Sequence, residues 1–80
     1  MTTENKTFLT LEEVKEKLYY CCEYAEGVYS YKKDGKWTLI EKGGVLVDNA
    51  DFVYWYKKGT YVYKKDGKQF RVKDGITTEI

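Results

Sequence analysis

Histidine is absent from this chain of 80 residues. That excludes imidazole acid/base chemistry, Ser–His and Cys–His nucleophiles, and histidine metal ligands. Proline is absent too, so no turn is preset by a pyrrolidine ring. The two cysteines, Cys21 and Cys22, are neighbours. Adjacent side chains diverge too far for disulfide geometry, and two thiols without histidine do not complete a zinc site. Unpaired thiols suit a reducing compartment, so a cytoplasmic location is expected.

Long apolar runs are also lacking. Leu18 to Cys22 and Phe52 to Tyr56 are uninterrupted for only five residues each, against the roughly 20 that a membrane helix needs. Residues Met1 to Lys6 carry no basic stretch followed by an apolar one, so no signal peptide is expected. Neither sign of charge dominates: 14 Lys and Arg stand against 13 Asp and Glu, which excludes a basic nucleic-acid arm as well as an acidic mimic of DNA.

Three stretches invite a chemical reading and fail it. Gly43-Gly44 lacks the Lys-Ser/Thr of a phosphate loop. Asp48-Asn49-Ala50-Asp51 lacks the spacing of a calcium loop and is expected to be a turn held by its own side chains. Glu12, Glu13, Glu16 and Glu23 read as a solvated helix face rather than paired catalytic carboxylates. No catalytic residue, metal or cofactor is assigned, and the chain is expected not to be an enzyme.

What is abundant is tyrosine, with nine residues. Charge is also unevenly placed. Residues 1–26 hold six Glu and three Lys, a net −3; residues 27–80 hold eleven Lys and Arg against seven Asp and Glu, a net +4. An acidic N-terminal element thus precedes a basic remainder.

The N-terminal element reads as a helix over residues 10–27, with residues 1–9 flexible or a short strand. Thr10 and Glu13 form a capping-box pair, and Leu9 with Val14 a hydrophobic staple. Gly27 supplies a C-terminal stop. Leu11, Val14, Leu18, Cys21, Cys22 and Ala25 recur at helical spacing as one buried stripe. Residues 28–80 read as antiparallel hairpins: Val28 to Lys33 with Lys36 to Glu41 about Asp34-Gly35, then a short strand Val45 to Val47. Phe52 to Lys57, Thr60 to Lys65, Lys68 to Lys73 and Ile76 to Glu79 follow about Lys58-Gly59, Asp66-Gly67 and Asp74-Gly75. Tyr29 to Lys36 recurs as Tyr61 to Lys68, an offset of 32 that Gly43 and Gly75 keep.

The expected fold is therefore α+β and a single domain, one helix packed on a five- to seven-stranded antiparallel meander. Two-residue turns place Phe52, Tyr54, Tyr56, Tyr61, Tyr63, Phe70 and Val72 on one face, with Tyr29, Tyr31, Thr38 and Ile40 by the repeat. The helix stripe should cover it. The other face carries Trp37, Leu39, Trp55, Val62 and Arg71, and one helix cannot cover both. Closure toward a small barrel, a contact surface, and scattered exposed apolar side chains are the three alternatives.

The function expected is binding by protein–protein contact, in the manner of small phage or mobile-element inhibitors of host defence systems. Tyr20, Tyr24 and Glu16 on the outer helix face are the candidate partner surface. Trp37, Trp55 and Arg71 are the candidates for self-association, with a homodimer as one outcome, or for stacking. The alternatives are a nucleic-acid-binding sheet, in which lysines such as Lys32, Lys33, Lys64 and Lys65 interleave with aromatics, and a tyrosine-lined ligand pocket formed with a second copy.

Overall fold

A computed structural model of the chain describes residues 8–80. Most of the segment expected to be flexible or a short strand, residues 1–7, lies outside the described residues. One short helix, α1 (Leu11–Glu16), precedes eight strands: β1 (Tyr20–Ala25), β2 (Val28–Lys33), β3 (Lys36–Glu41), β4 (Gly44–Ala50), β5 (Phe52–Lys57), β6 (Thr60–Lys65), β7 (Lys68–Lys73) and β8 (Ile76–Glu79). They form two four-stranded antiparallel sheets, sheet A in the order β1-β2-β3-β4 and sheet B in the order β5-β6-β7-β8.

The helix starts where expected. The Thr10 hydroxyl accepts from the Glu13 N–H at 3.2 Å, and the Glu13 carboxylate accepts from the Thr10 N–H at 2.9 Å. It does not run to Gly27. Lys17 is its C-cap, and Leu18 takes the left-handed conformation at φ 62°. The Tyr19 N–H donates to the Val14 carbonyl at 3.2 Å and the Leu18 N–H to the Lys15 carbonyl at 3.3 Å. This is a Schellman closure with leucine where glycine is usual. The stripe that continued helically through Cys21, Cys22 and Ala25 belongs to β1 instead. A six-residue stretch of mixed apolar and polar residues fits either period, and Tyr-Cys-Cys-Glu-Tyr gains more from pairing with β2 than from lengthening an isolated helix.

The remaining strands lie where the turns put them. The Asp34-Gly35, Lys42-Gly43, Asp66-Gly67 and Asp74-Gly75 turns have positive φ at both residues, the conformation that matches strand twist. Tyr31 pairs with Thr38 and Tyr29 with Ile40; Tyr63 pairs with Phe70 and Tyr61 with Val72. Two details differ from the sequence reading. Asp48 to Ala50 is strand rather than turn, with a register shift against β3 and Asn49 at φ 60°. And the β5–β6 register shifts between Trp55 and Lys57. The extra residue, Tyr56, turns the rest of β5 over, since a one-residue slip exchanges the faces of a strand. Val53 and Trp55, not Tyr54, therefore share a face with Tyr61, Tyr63, Phe70 and Val72.

That shift decides the layering. One face of sheet A carries Tyr29, Tyr31 and Ile40 and packs on Val14, with Phe8, Leu9, Leu11, Tyr19 and Cys21 around them. Here the helix does cover tyrosines: the Tyr29 hydroxyl donates to the Leu9 carbonyl at 2.8 Å, and the Tyr31 hydroxyl accepts from the Leu9 N–H at 2.9 Å. The other face of sheet A, with Leu39, Val47 and Ala50, packs on Val53, Trp55, Tyr61 and Tyr63 of sheet B. The two-faced meander is thus two open sheets, neither a single sheet nor a barrel, and the second covers the face of the first that the helix leaves bare.

The internal repeat extends through the whole sheet region. Shifting β1, β2 and β3 by 32 residues lands on the bounds of β5, β6 and β7, and the start of β4 lands on the start of β8. The register shift between Glu23 and Ala25 recurs between Trp55 and Lys57, so Tyr24 and Tyr56 are equivalent extra residues. The turns beside them, Glu26-Gly27 and Lys58-Gly59, have positive φ at the glycine alone. At Asp51, the single residue between β4 and β5, the carboxylate pairs with Lys36, Nζ to Oδ1 2.6 Å, and the backbone N–H donates to the Lys64 carbonyl of sheet B at 2.7 Å.

Candidate interaction surface

Sheet B has a face that no described element covers. β5 contributes Phe52 and Tyr54, β6 contributes Thr60, Val62 and Lys64, and β7 contributes Gln69, Arg71 and Lys73. Alternation and the pairs Phe52–Lys64, Tyr54–Val62 and Val62–Arg71 put these on one side. Tyr56 joins them, its ring 6.4 Å from that of Tyr54. Phe52, Tyr54 and Tyr56 are 49%, 47% and 69% exposed. Among these strand positions there is no carboxylate. A shallow hollow beside Arg71 and Lys73 is edged by Ile76, Thr78 and Asp74 of the last turn.

The repeat supplies an internal comparison. The face of sheet A equivalent to this one is the face that sheet B covers. Leu39 there corresponds to Arg71, Trp37 to Gln69, Ser30 to Val62, Glu41 to Lys73, Cys22 to Tyr54 and Tyr20 to Phe52. The covered copy has Leu39 and Ser30 fully buried at its centre. The uncovered copy has Arg71 for Leu39 and Lys73 for Glu41, loses Trp37 to Gln69, and gains one aromatic, Tyr54 for Cys22. Exchange for polar residues is what keeps an end face soluble. The exposed ring of Tyr54 is not explained that way.

The residues singled out from sequence are dispersed. Glu16 ends α1, Tyr20 begins β1 on the opposite face of sheet A, and Tyr24 packs half-buried against the inter-sheet core. The acidic helix face that would join them is not formed, because the helix stops at Lys17. Tyr24 has its hydroxyl 3.0 Å from that of Ser30, and its ring stands edge-on to Tyr54 at 5.8 Å. Burial raises the Tyr24 pKa above the ordinary tyrosine value, the Ser30 hydrogen bond opposing it. Trp37 and Trp55 lie in the inter-sheet core and Arg71 on the outer face of sheet B. The Trp55 indole N–H is enclosed without an acceptor. The sequence reading places Phe52, Tyr54 and Tyr56 on the core face; in the structure the bulge beside the Lys58-Gly59 turn puts Phe52 and Tyr54 on the outer one.

The cysteines differ from expectation as well. Cys21 is half-buried against the helix-side core and Cys22 is exposed, because β1 sends neighbouring side chains to opposite faces. Burial, with Cys22 adding to it, raises the Cys21 pKa.

A cavity of about 490 Å³ opens on the helix side of sheet A, lined by Phe8, Tyr31, Lys33, Thr38, Asp48 and others. Two of its polar side chains are already engaged: the Tyr31 hydroxyl accepts from the Leu9 N–H, and the Thr38 hydroxyl donates to Asp48 at 3.0 Å. Among the described residues no group of three metal-ligating side chains occurs, and no helix is long and apolar enough to cross a membrane. No protein-family model matches this chain, and comparison with curated proteins and with solved structures gives no significant match.

Proposed function

We propose that this is a small non-enzymatic binding protein that acts by surface contact, and that the outer face of sheet B is its working surface. The observation that carries this reading is the substitution pattern between the two copies. At equivalent backbone positions, the face without a cover carries Tyr54, Arg71 and Lys73 where the other copy carries Cys22, Leu39 and Glu41, which completes an aromatic row beside a cationic track. Aromatics and arginine are the side chains that anchor contacts. Lys64, Arg71 and Lys73, with no carboxylate at the outer strand positions between them, suit an anionic macromolecule. They oppose face-to-face pairing of two copies, which would bring like charges together. An inhibitor that occludes an anionic surface of its target would act through such a face.

The test is retention of a macromolecular partner from a native extract by immobilised protein. Arg71→Glu with Tyr54→Ser should abolish retention while circular dichroism and the melting midpoint stay near wild type, since both side chains face solvent. Undiminished retention by the folded double variant would show that another surface is used.

A further inference from the structure

Building on that reading, we propose that the outer face of sheet B binds single-stranded nucleic acid, with Phe52, Tyr54 and Tyr56 stacking on successive bases and Arg71, Lys73 and Lys64 meeting the phosphates. Three observations carry this. The aromatics form a row along one strand: Phe52 and Tyr54 are two residues apart, about 6.7 Å by strand geometry, and the rings of Tyr54 and Tyr56 are 6.4 Å apart. All three are exposed along the outermost strand of the sheet. Second, Arg71 and Lys73 run parallel to that row on β7, two strands away, which is about 9.5 Å. Third, no carboxylate interrupts either track on the outer strand positions.

Two parallel tracks, one of π-faces and one of charge, match a polymer that repeats a base and a phosphate. Base–aromatic stacking with cationic contacts is the usual means of holding single strands on a sheet. A duplex hides its base faces and leaves the aromatic row without partners. A protein anchor site would instead concentrate its aromatics in a central, desolvated pocket; here they are spread at regular intervals along an edge. The repeat strengthens the case, because the equivalent positions of sheet A, Tyr20, Cys22 and Tyr24 beside Leu39 and Glu41, hold neither an unbroken aromatic row nor a cationic track.

The experiment is fluorescence anisotropy of labelled oligo-dT and oligo-U, each about 12 nucleotides long, against a duplex of the same length, at about 50 and about 200 mM salt. Expected is binding of one or both single strands, at least tenfold weaker binding of duplex, and affinity that falls as salt rises. Tyr54→Ala should weaken binding at least tenfold at both salt concentrations. Arg71→Gln should weaken it and flatten the salt dependence. Each variant is checked for an unchanged far-ultraviolet spectrum; if Tyr54→Ala unfolds, Tyr56→Ala at the most exposed ring replaces it. Equal binding of duplex and single strand, or full binding by the folded aromatic variant, would overturn the proposal. Should no oligonucleotide bind while a nuclease-resistant partner is still retained through Tyr54 and Arg71, the partner is an acidic protein: this inference fails and the binding reading stands. Loss of both would remove both.

Discussion

Tyr24 and Tyr56 occupy the same place in two copies of one hairpin, yet one packs half-buried against the inter-sheet core and the other stands in solvent. Each is the extra residue of a strand bulge, 32 residues apart. Tyr24 closes onto Ser30 at 3.0 Å beneath sheet B. Tyr56 stands in solvent, and the position equivalent to Ser30 is Val62, which offers no hydroxyl. A duplicated backbone has been given two different environments, and side chains at matching positions have followed the environment rather than the backbone.

Removing the Tyr24 hydroxyl should therefore be costly and removing that of Tyr56 should not. Tyr24→Phe takes a partner from the fully buried Ser30 hydroxyl and should destabilise by about 1–3 kcal/mol. Tyr56→Phe should stay within about 0.5 kcal/mol. Adding Ser30→Ala to Tyr24→Phe should restore part of the loss, because neither polar group is then stranded. Urea denaturation midpoints of the four variants check this, and equal effects at the two tyrosines would contradict the half-buried position of Tyr24.

Leu18 gives a prediction whose sign separates two folds. It is 89% exposed and held at φ 62°, a conformation that costs a residue with a Cβ roughly 1–2 kcal/mol. Leu18→Gly should stabilise the protein by up to about 1 kcal/mol, allowing for the greater freedom of glycine in the unfolded chain. In a helix running to Gly27 the same change would destabilise by about 1 kcal/mol. A lowered denaturation midpoint would therefore favour the longer helix.

These two positions also mark where the sequence could be read and where it could not. Asp34-Gly35, Asp66-Gly67 and Asp74-Gly75 state their turn type outright, and the five strands that flank them follow from them. The start of the helix is equally plain in Thr10 and Glu13. Its end is not, because Leu18 is an improbable left-handed residue and the closure depends on Tyr19 packing with Val14. The bulge at Tyr56 is marked only by its turn: Lys58 stays out of the left-handed region whereas Lys42, also before a glycine, enters it. Lysine at that place does not announce which it will do. With the bulge unread, Phe52 and Tyr54 fall on the core face, and the uncovered aromatic surface is invisible from sequence.

The two thiols should react at separate rates. Cys22 is exposed on one face of β1, while Cys21 lies against the helix-side core with its pKa raised chiefly by burial. Because the thiolate is the reacting form, an aromatic disulfide reagent at neutral pH should modify Cys22 first and Cys21 in a distinctly slower phase. Cys22→Ser should delete the fast phase alone. A single rate for both would place them in one environment, as a helix stripe would.

Alkaline pH should weaken the fold through three tyrosines. Burial raises the pKa of Tyr24, Tyr29 and Tyr61 above the ordinary value of about 10. The folded state then holds these protons more tightly than the unfolded state. Their contribution is fully present below about pH 10 and is lost as pH rises through the raised values. Absorbance of tyrosinate should show a late-titrating set in the folded protein that merges with the rest in denaturant. Tyr24→Phe should shrink that set.

The layered arrangement leaves the two copies unequally anchored. Among the described residues, sheet B places only Val53 and Val72 in the fully buried core, while α1 and sheet A supply Val14, Val28, Tyr29, Tyr31, Leu39, Ile40, Val47 and Ala50. All four residues of β8 are exposed. Opening from that edge exposes little apolar surface, so it costs far less than separating β2 from β3. The copy that bears the uncovered face can thus loosen strand by strand while the other stays shut. In hydrogen exchange the two halves of one duplicated sequence would behave as an outer leaf and a hinge-side leaf, with protection rising from β8 inward to β3.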